Sequence, residues 1–207
     1  MTTVHNAVAP EVVRRREDVR DEFGVSDIPL IAVVGRLAEQ KNHAFVLDVA
    51  IALRQIGQPF RVLLIGDGSL RRELAHAIAQ KDLRNHVELL GTRADVVDIV
   101  SAADAFLMTS RWEGLPLAML EAMAVRTPVV ATAVRGVVEI VRHEHSGLLV
   151  DEGNPLAAAA TITRLLNDPD LGARLADAGA RDVTQYSVPR MVDGYAAVYR
   201  SVLKGQN

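Results

Sequence analysis

The segment Leu30–Ile65, LIAVVGRLAEQKNHAFVLDVAIALRQIGQPFRVLLI, decides the fold. It begins and ends with runs that are apolar almost throughout, Leu30–Val34 and Arg61–Ile65, and a helical pattern, Ala44–Gln55, lies between them. Strands that are apolar rather than alternating are covered on both faces, which is typical of parallel sheets. Two parallel strands need a crossover such as this helix. The segment therefore predicts one βαβ unit of a parallel sheet.

The same alternation continues along the chain as far as residue 150. Further strands are predicted at Val87–Leu90, Ala105–Met108, Pro128–Ala131 and Leu148–Val150. Further helices are predicted near Leu70–Gln80, Val96–Ala102, Pro116–Val125 and, as a short one, Val137–His143. After Asn154 the pattern is helical, roughly at Pro155–Asn167, Leu171–Ala180 and Val188–Leu203. This order predicts an α/β fold, a Rossmann-like doubly wound parallel sheet with a helical C-terminal tail.

The chain divides into three parts on this pattern. Residues 1–29 form a lead-in, residues 30–187 a Rossmann-like domain, and residues 188–207 a C-terminal helix that packs on the domain. The lead-in contains a charge run, Arg14–Glu22, and little that resembles core, so we interpret it as a solvated helix face or linker. Such a lead-in ahead of the first strand suggests a domain severed from something upstream.

The composition excludes several classes of protein. The 207 residues, 49% hydrophobic and 24% charged, are those of a globular protein with a substantial core. A net charge of −3 argues against a nucleic-acid surface, and the lack of cysteine excludes disulfides, thiolate metal sites and cysteine nucleophiles. No run approaches the roughly 20 apolar residues of a membrane span, and the N-terminus lacks the apolar segment of a signal peptide. We therefore expect a cytoplasmic protein.

A carboxylate stands where a core helix should have none, within Arg111–Val125, RWEGLPLAMLEAMAV. From residue 115 to 125, only Glu121 is neither apolar nor proline. An unpaired buried carboxylate is costly, so such a residue is usually paired or bound to a ligand. Because Pro116 suits a first helical turn and helical side chains lean toward the N-terminus, Glu121 should point toward the loop that holds Glu113. Two acids that bracket a helix N-terminus suit a ligand with hydroxyls and phosphates.

The first predicted strand is followed by two cations and a glycine. Ligands of open α/β sheets bind beyond the carboxyl ends of the strands. In GRLAEQKN, Gly35 lets the chain turn, and Arg36 and Lys41 are placed to reach a diphosphate. The alternative is that both are solvated loop cations.

The glycines after the second and third strands are weaker candidates. Gly66 in IGDGS resembles part of a phosphate-binding loop, but the dinucleotide pattern GxGxxG fails at Arg71. The stretch Gly91–Arg93 either lies against a flat ring through backbone groups or forms a plain turn. Asp95 and Asp98 are explained by capping or solvent exposure.

Other chemistries lack their motifs. The chain has neither the GxxxxGK[ST] loop of Walker-type ATPases nor the GxSxG elbow of hydrolases. The histidines, read as surface or packing residues, show no metal-ligand spacing with nearby acids, so no metal site is expected.

Taken in order, these motifs resemble the C-terminal half of the retaining family 4 glycosyltransferases, which have the GT-B fold. The resemblance covers nearly the whole chain and is carried by GRLAEQKN, LLIGDG, VELLG, SAADAFLMTSRWEGLPLAMLEAMA, PVVAT and YAAVYRSVL. The spacing of Glu113 and Glu121 is similar to that family's paired-glutamate motif. In the family this half binds the nucleotide-sugar donor, and a separate N-terminal domain binds the acceptor.

The resemblance implies a role for each matching residue. Arg36 and Lys41 would hold the donor diphosphate, beside Gly35. Backbone N–H groups of the loop at Gly114, Leu115 and Leu117 would bind phosphate at the helix N-terminus. Glu113 would contact the transferred sugar and act, with the two cations, in catalysis. Glu121 would accept hydrogen bonds from the ribose. Gly91 and Arg93 would border the base through backbone contacts, and Gly66 is a further candidate for donor binding.

The implied activity is transfer of a sugar, with retention, from a UDP- or GDP-sugar to a glycan or lipid-linked acceptor, as in polysaccharide biosynthesis. No bound metal or other cofactor would be required. The N-terminal acceptor domain is missing, and any peripheral membrane association would run through it, so we expect this chain to bind donor and transfer sugar poorly. Two alternatives stay open: a non-catalytic nucleotide-sugar-binding module or subunit of a split transferase, and another GT-B enzyme such as an epimerase or phosphorylase.

Overall fold

The structure, a computed structural model that describes residues 4–204, contains six parallel strands in one sheet of order β3-β2-β1-β4-β5-β6. Residues 1–3 of the predicted lead-in and 205–207 of the predicted C-terminal helix lie outside the described part. The strands are β1 Leu30–Val34, β2 Arg61–Ile65, β3 Val87–Gly91, β4 Ala105–Met108, β5 Val129–Thr132 and β6 Leu148–Val150. The predicted doubly wound α/β fold is confirmed.

Eight α-helices accompany the strands in the described range. They are α1 Arg16–Glu22, α2 His43–Gln55, α3 Arg71–Gln80, α4 Val96–Ala102, α5 Leu117–Ala124, α6 Pro155–Asn167, α7 Pro169–Asp182 and α8 Val188–Lys204. Short 3₁₀ turns occur at Glu39–Lys41 and Val183–Tyr186. Pro128 falls just outside β5, although its carbonyl accepts from Phe106 N at 2.8 Å.

The sheet separates two hydrophobic cores, as uniformly apolar strands require. In β1, Ile31 and Val33 face the core built with α2, α3, α6 and α7. Leu30 and Ala32 face the core built with α1, α4 and α5. The helices thus cover both faces of the sheet and leave its carboxyl edge to the loops that carry the site.

One predicted helix is wrong. Instead of a helix near Val137–His143, residues 135–140 form a series of turns. Val137, Ile140 and Val141 are buried at helical spacing, which is why the pattern predicts a helix. Gly136, with φ +85°, enters this segment in a left-handed conformation, and β-branched residues have low helix propensity.

The lead-in contributes more to the core than its composition indicates. Val19 of α1 and Val25 after it are buried. Arg20, also buried, donates to Ala102 O at 3.0 Å and Val25 O at 2.9 Å. Asp98 of α4 is 6% exposed and accepts from the backbone N–H groups of Val13 and Arg14 at 2.7 and 3.1 Å. The explanation of Asp98 by capping or exposure is therefore wrong, because it fastens the lead-in to α4.

The C-terminal helix α8 lies beside the start of the described chain. A Cβ placed on Gly194 would be 3.1 Å from Cγ1 of Val4, and Val8 N donates to Tyr186 O at 3.0 Å. Along the rest of α8 several large apolar side chains are exposed: Val188, Val192, Tyr195, Tyr199, Val202 and Leu203. Between residues 4 and 204, no helix combines the length and the apolar character needed to cross a bilayer.

Candidate functional site

The loops after β1 and β4 are joined into one unit at the carboxyl edge of the sheet. Thr109 Oγ1 donates to Lys41 O at 2.9 Å, and Arg111 N donates to Gln40 O at 2.9 Å. In return, Gln40 Nε2 donates to Trp112 O at 3.0 Å. Parallel strands end at the same edge, so this arrangement brings together the loops that hold the predicted cations and the first predicted acid.

Lys41 and Glu113 form an ion pair within this unit. Lys41 Nζ lies 2.5 Å from Glu113 Oε1, and the side chains are 19% and 6% exposed. The stem of Lys41 passes over Gly35, where a Cβ would lie 3.2 Å from both Cγ and Cδ. Gly35 thus leaves room for the lysine to reach the glutamate. Three of the predicted site residues are in contact.

Arg36 is exposed beside them and has no ion pair with any side chain that the structure describes. Its backbone is nevertheless fixed, because Nε2 of buried His43 lies 3.2 Å from Arg36 O. Burial lowers the pKa of His43, which keeps the imidazole neutral, and the tautomer protonated at Nε2 donates to that carbonyl. A free guanidinium on a fixed backbone suits an anionic ligand.

Glu121 is half-buried in α5, between buried Leu120 and Ala122. No residue in the described range forms a hydrogen bond or an ion pair with its carboxylate. Burial raises the pKa of Glu121 above its ordinary value. A partly desolvated acid without a protein partner is the arrangement expected where a ligand supplies the missing donors.

We expect Glu121→Gln to stabilise the fold at neutral pH. A carboxyl pKa that is raised in the folded state means that stability falls as the pH rises above the ordinary value of 4.5. Glutamine carries no charge and avoids this loss of stability. The variant should therefore be more stable than the native chain at pH 7 and equally stable at pH 3, where Glu121 is also neutral. Thermal unfolding across this pH range measures it. The matched control is Glu11→Gln, at an exposed acid; an equal gain there, or a gain at pH 3, would contradict the expectation.

The N-terminus of α5 adds unpaired backbone donors. Pro116 is its N-cap residue and supplies no side-chain cap, and the N–H groups of Gly114 and Leu115 have no backbone acceptor in the described chain. A Cβ on Gly136 would lie 2.5 Å from Glu113 O and 2.6 Å from Gly114 O. Because C=O and N–H of a trans peptide point in opposite directions, those two N–H groups point away from Gly136. Leu117, as the first helical residue, also has a free N–H.

Gly66 and Gly68 are explained by packing between loops. Gly66 has φ +134°, and a Cβ there would lie 2.2 Å from Gly35 O. A Cβ on Gly68 would lie 2.4 Å from Leu37 O, and Leu37 N donates to Asp67 O at 2.9 Å. The two glycines therefore let the β2 loop close against the β1 loop. A direct contact between Gly66 and a ligand stays a prediction.

Gly91 and Arg93 continue the same edge. Gly66 N donates to Gly91 O at 2.8 Å. The side chain of Arg93 is already engaged, since it pairs with Asp95 at 2.8 Å and Glu22 at 2.9 Å, and Arg14 binds the same two acids. The hydrogen bond from Arg93 lowers the pKa of Asp95 to about 2. Asp95 thus closes an ion-pair ring and does not cap α4; contact of Gly91 and Arg93 with a base stays a prediction.

Three residues that support this site are not among those indicated by the sequence motifs. Thr109, Ser110 and Thr132 are buried at the ends of β4 and β5, and their hydroxyls bind the loops of Lys41 and Glu113. The available signal was the position of three hydroxyl residues directly at the ends of predicted strands. Gly136, pressed against the Glu113 loop, could have been found only from its conformation.

The opposite, amino edge of the sheet offers a cavity of about 450 Å³. Each arginine that lines it already has an acidic partner: Arg16 and Arg20 share Asp104, and Arg126 pairs with Asp177. Among the described residues that line it, no cation is without an acidic partner, in contrast to Arg36 at the carboxyl edge. Across residues 4–204, no group of three or more histidine, cysteine or acidic residues is placed to hold a metal ion.

Comparison with known proteins finds glycosyltransferases in each case. Residues 15–182 match the family model described as glycosyl transferases group 1. The chain is 30% identical over 191 residues to the alpha-D-kanosaminyltransferase of Streptomyces kanamyceticus, covering 91% of this chain and 50% of that protein. It is 32% identical over 203 residues to the D-inositol 3-phosphate glycosyltransferase of Corynebacterium urealyticum, covering 93% and 48%.

A solved structure is similar as well. The structure of Anabaena Alr3699/HepE in complex with UDP and glucose superposes with a TM-score of 0.84 at 26% identity, covering 90% of this chain and 52% of that one. The same protein has been solved with UDP-glucose. The chain thus spans about half the length of the curated relatives described above.

Proposed function

The chain belongs to the glycosyl transferases group 1 family, and from that premise we propose that it binds the nucleoside-diphosphate-sugar donor of a retaining glycosyl transfer. The observation that supports the proposal is a free cation, Arg36, next to a held ion pair, Lys41–Glu113, at the carboxyl edge of the sheet. The helix that follows the Glu113 loop, α5, carries the unpartnered acid Glu121. A donor of this class presents a matching set of groups: a diphosphate, a sugar and a ribose.

The diphosphate is assigned to Arg36, Lys41 and the amides at the start of α5. Arg36 is an exposed guanidinium that can bind two phosphate oxygens at once, and Lys41 is a point charge beside it. The free N–H groups of Gly114, Leu115 and Leu117 add partial positive charge at a helix N-terminus. Together they place positive charge against the diphosphate without using the residues of the ion-pair ring.

The two acids are assigned to the hydroxyl groups. Glu113, beside Lys41, accepts from the transferred sugar, and Glu121 accepts from the ribose. The raised pKa of Glu121 supports this role. A carboxylate that has no hydrogen-bond donor in the free chain is stabilised the most by donors from two ribose hydroxyls. The backbone at Gly66, Gly91 and Arg93 borders the nucleotide.

The proposed chemistry breaks the bond between the anomeric carbon and the diphosphate oxygen. The bonding electrons leave with the nucleoside diphosphate while positive charge develops on the sugar. Arg36, Lys41 and the α5 amides stabilise the departing oxygen electrostatically, and Glu113 orients the sugar. In the retaining course the acceptor hydroxyl attacks the same face from which the diphosphate leaves, and its proton passes to the departing diphosphate oxygen.

The acceptor, glycan or lipid-linked, is assigned to a second half of the protein. Relatives are about twice as long as the match, which supports a partner domain that completes the cleft. Any contact with a membrane surface would run through that half. UDP or GDP is the proposed nucleotide, and complexes of Alr3699/HepE with UDP and with UDP-glucose support the first.

Isothermal titration with UDP, GDP, ADP and their glucose or mannose conjugates tests the proposal. We expect one-site binding of at least one nucleotide of the panel. Glu121→Gln should then weaken that binding by about 1–3 kcal/mol, because hydrogen bonds to a charged group are lost.

The 2′,3′-dideoxy form of the same nucleotide is the control. If Glu121 binds the ribose, the native chain and Glu121→Gln should bind the dideoxy form equally, so the loss disappears. Unchanged affinity of the variant for the normal nucleotide would remove Glu121 from the site. Failure of every nucleotide to bind the native chain would overturn the proposed function.

A further inference from the structure

Glu113 is held asymmetrically. Lys41 Nζ binds Oε1 at 2.5 Å, and Ser110 Oγ donates to the same Oε1 at 2.6 Å. No residue that the structure describes donates to Oε2. Because both donors are on one oxygen of a side chain that is 6% exposed, the carboxylate is oriented with its second oxygen left unused.

Ser110 is itself fixed in place. It lies just beyond β4, is fully buried, and its carbonyl accepts from Oγ1 of buried Thr132 at 2.6 Å. Thr132 ends β5, so two neighbouring strands determine where the serine hydroxyl stands. A single hydroxyl hydrogen aimed at a carboxylate gives a short charge-assisted bond with a defined direction.

Lys41 alone would hold Glu113 less securely. Its ammonium group is a rotatable point charge on a flexible stem, and the proposed function also assigns it to the diphosphate. A ligand diphosphate would compete with Glu113 for the three N–H groups of Lys41. Ser110 has no such second task, so its bond to Oε1 can persist while Lys41 turns toward phosphate.

We propose that Ser110 is a positioning residue for the transfer reaction: it anchors Oε1 of Glu113 and so presents Oε2 to a hydroxyl of the transferred sugar. This inference rests on the proposed function and deepens it. It assigns recognition of the sugar to one oxygen atom and the support of that atom to a residue that touches no substrate.

Ser110→Ala tests this inference by separating sugar binding from nucleotide binding. We expect the ratio of affinities for UDP-glucose over UDP, or GDP-mannose over GDP, to fall roughly tenfold. This is the usual cost of losing one charge-assisted hydrogen bond, here the bond between Oε2 of Glu113 and the sugar. Affinity for UDP or GDP, which carry no sugar conjugate, should stay the same. A purely structural defect would lower both affinities together. Ser110→Thr, which retains the hydroxyl, should restore the ratio.

The matched control is Ser146→Ala. Ser146 is equally buried, its hydroxyl accepts from Arg142 N at 3.1 Å, and it lies at the amino end of β6, away from the site. This variant should leave the ratio unchanged, and thermal unfolding of all variants shows that each is folded. If Ser110→Ala lowers both affinities equally or changes neither, the inference is wrong. It is also wrong if the native chain binds conjugate and diphosphate equally. If the native chain binds none of the four ligands, the proposed function itself fails.

Discussion

Replacing Arg36 and Lys41 together by alanine will weaken binding of a nucleoside diphosphate roughly 100-fold or more, at about 1.5–3 kcal/mol for each charge-assisted contact. Binding of the corresponding nucleoside will not change, because it has no phosphate. Arg36 is exposed and unpaired within the described chain. The ammonium group of Lys41 lies where the loops after β1 and β4 meet, in its ion pair with Glu113. Titration of UDP and uridine, or of GDP and guanosine, measures both effects.

The control for this pair is Lys81→Ala with Arg84→Ala. This double variant removes the same charge from the same kinds of residue, an exposed arginine and a lysine in an ion pair. Arg84 is exposed, and Lys81 pairs with Asp48 at 3.0 Å. These residues lie between α3 and the amino end of β3, so diphosphate affinity should hold. Equal losses for nucleotide and nucleoside in the site variant, or equal losses of diphosphate binding in site and control variants, would mean that Arg36 and Lys41 do not touch phosphate.

Gly66→Ala will destabilise the fold by about 2–6 kcal/mol, since strain at a positive φ and overpacking against backbone each cost roughly 1–3 kcal/mol. The added Cβ would lie 2.2 Å from Gly35 O, a backbone atom that cannot swing away. Because Gly35 carries Arg36 next to it and supports the stem of Lys41, the same change should also weaken diphosphate binding. Chemical denaturation and titration on one variant test both effects.

Gly57→Ala separates the effect of backbone strain at a positive φ from the effect of a steric clash. Gly57 has φ +74° but no atom within 4 Å of an added Cβ, so only the backbone strain applies. We expect a smaller loss of stability there and no loss of nucleotide affinity. If both variants lose the same stability, the contact between Gly66 and Gly35 is not what requires the glycine.

The strands were predictable because burial on both sheet faces imposes a simple rule on sequence. Leu30–Val34 and Arg61–Ile65 are bounded correctly since every inward position must be apolar. The segment 137–143 shows the limit of that rule. Its buried valines and isoleucine have helical spacing, yet Gly136 adopts φ +85° to approach the Glu113 loop. That approach is a long-range contact, which local periodicity does not encode.

Candidate site residues could be proposed from the sequence where a residue type is unusual for its surroundings. Glu121 in an apolar helix is such an anomaly, and the structure places it half-buried without a partner in the described chain. Ser110 was not predictable in this way, because serine is common after a strand and its role depends on the direction of one hydroxyl. Nothing in the local sequence shows that the side chain of Arg93 is engaged by Glu22, because the two residues lie 71 positions apart.

Under the proposed function, Glu121 links the stability of the fold to nucleotide binding. The same burial that raises its pKa costs the free chain stability at neutral pH, and a bound ribose would offset that cost. Variants at this position should therefore move stability and nucleotide affinity in opposite directions. This opposition is typical of sites where a strained or desolvated group is kept for binding.

The most direct test of the central claim, that Arg36, Lys41, Glu113 and Glu121 grip one sugar nucleotide, is a crystal structure of the chain with the tightest ligand of the panel. We expect the diphosphate between Arg36 and the first amides of α5, with ribose oxygens within hydrogen-bond distance of the Glu121 carboxylate. A nucleotide bound on another surface, such as the amino-edge cavity, or a ribose that leaves Glu121 unpartnered, would contradict it.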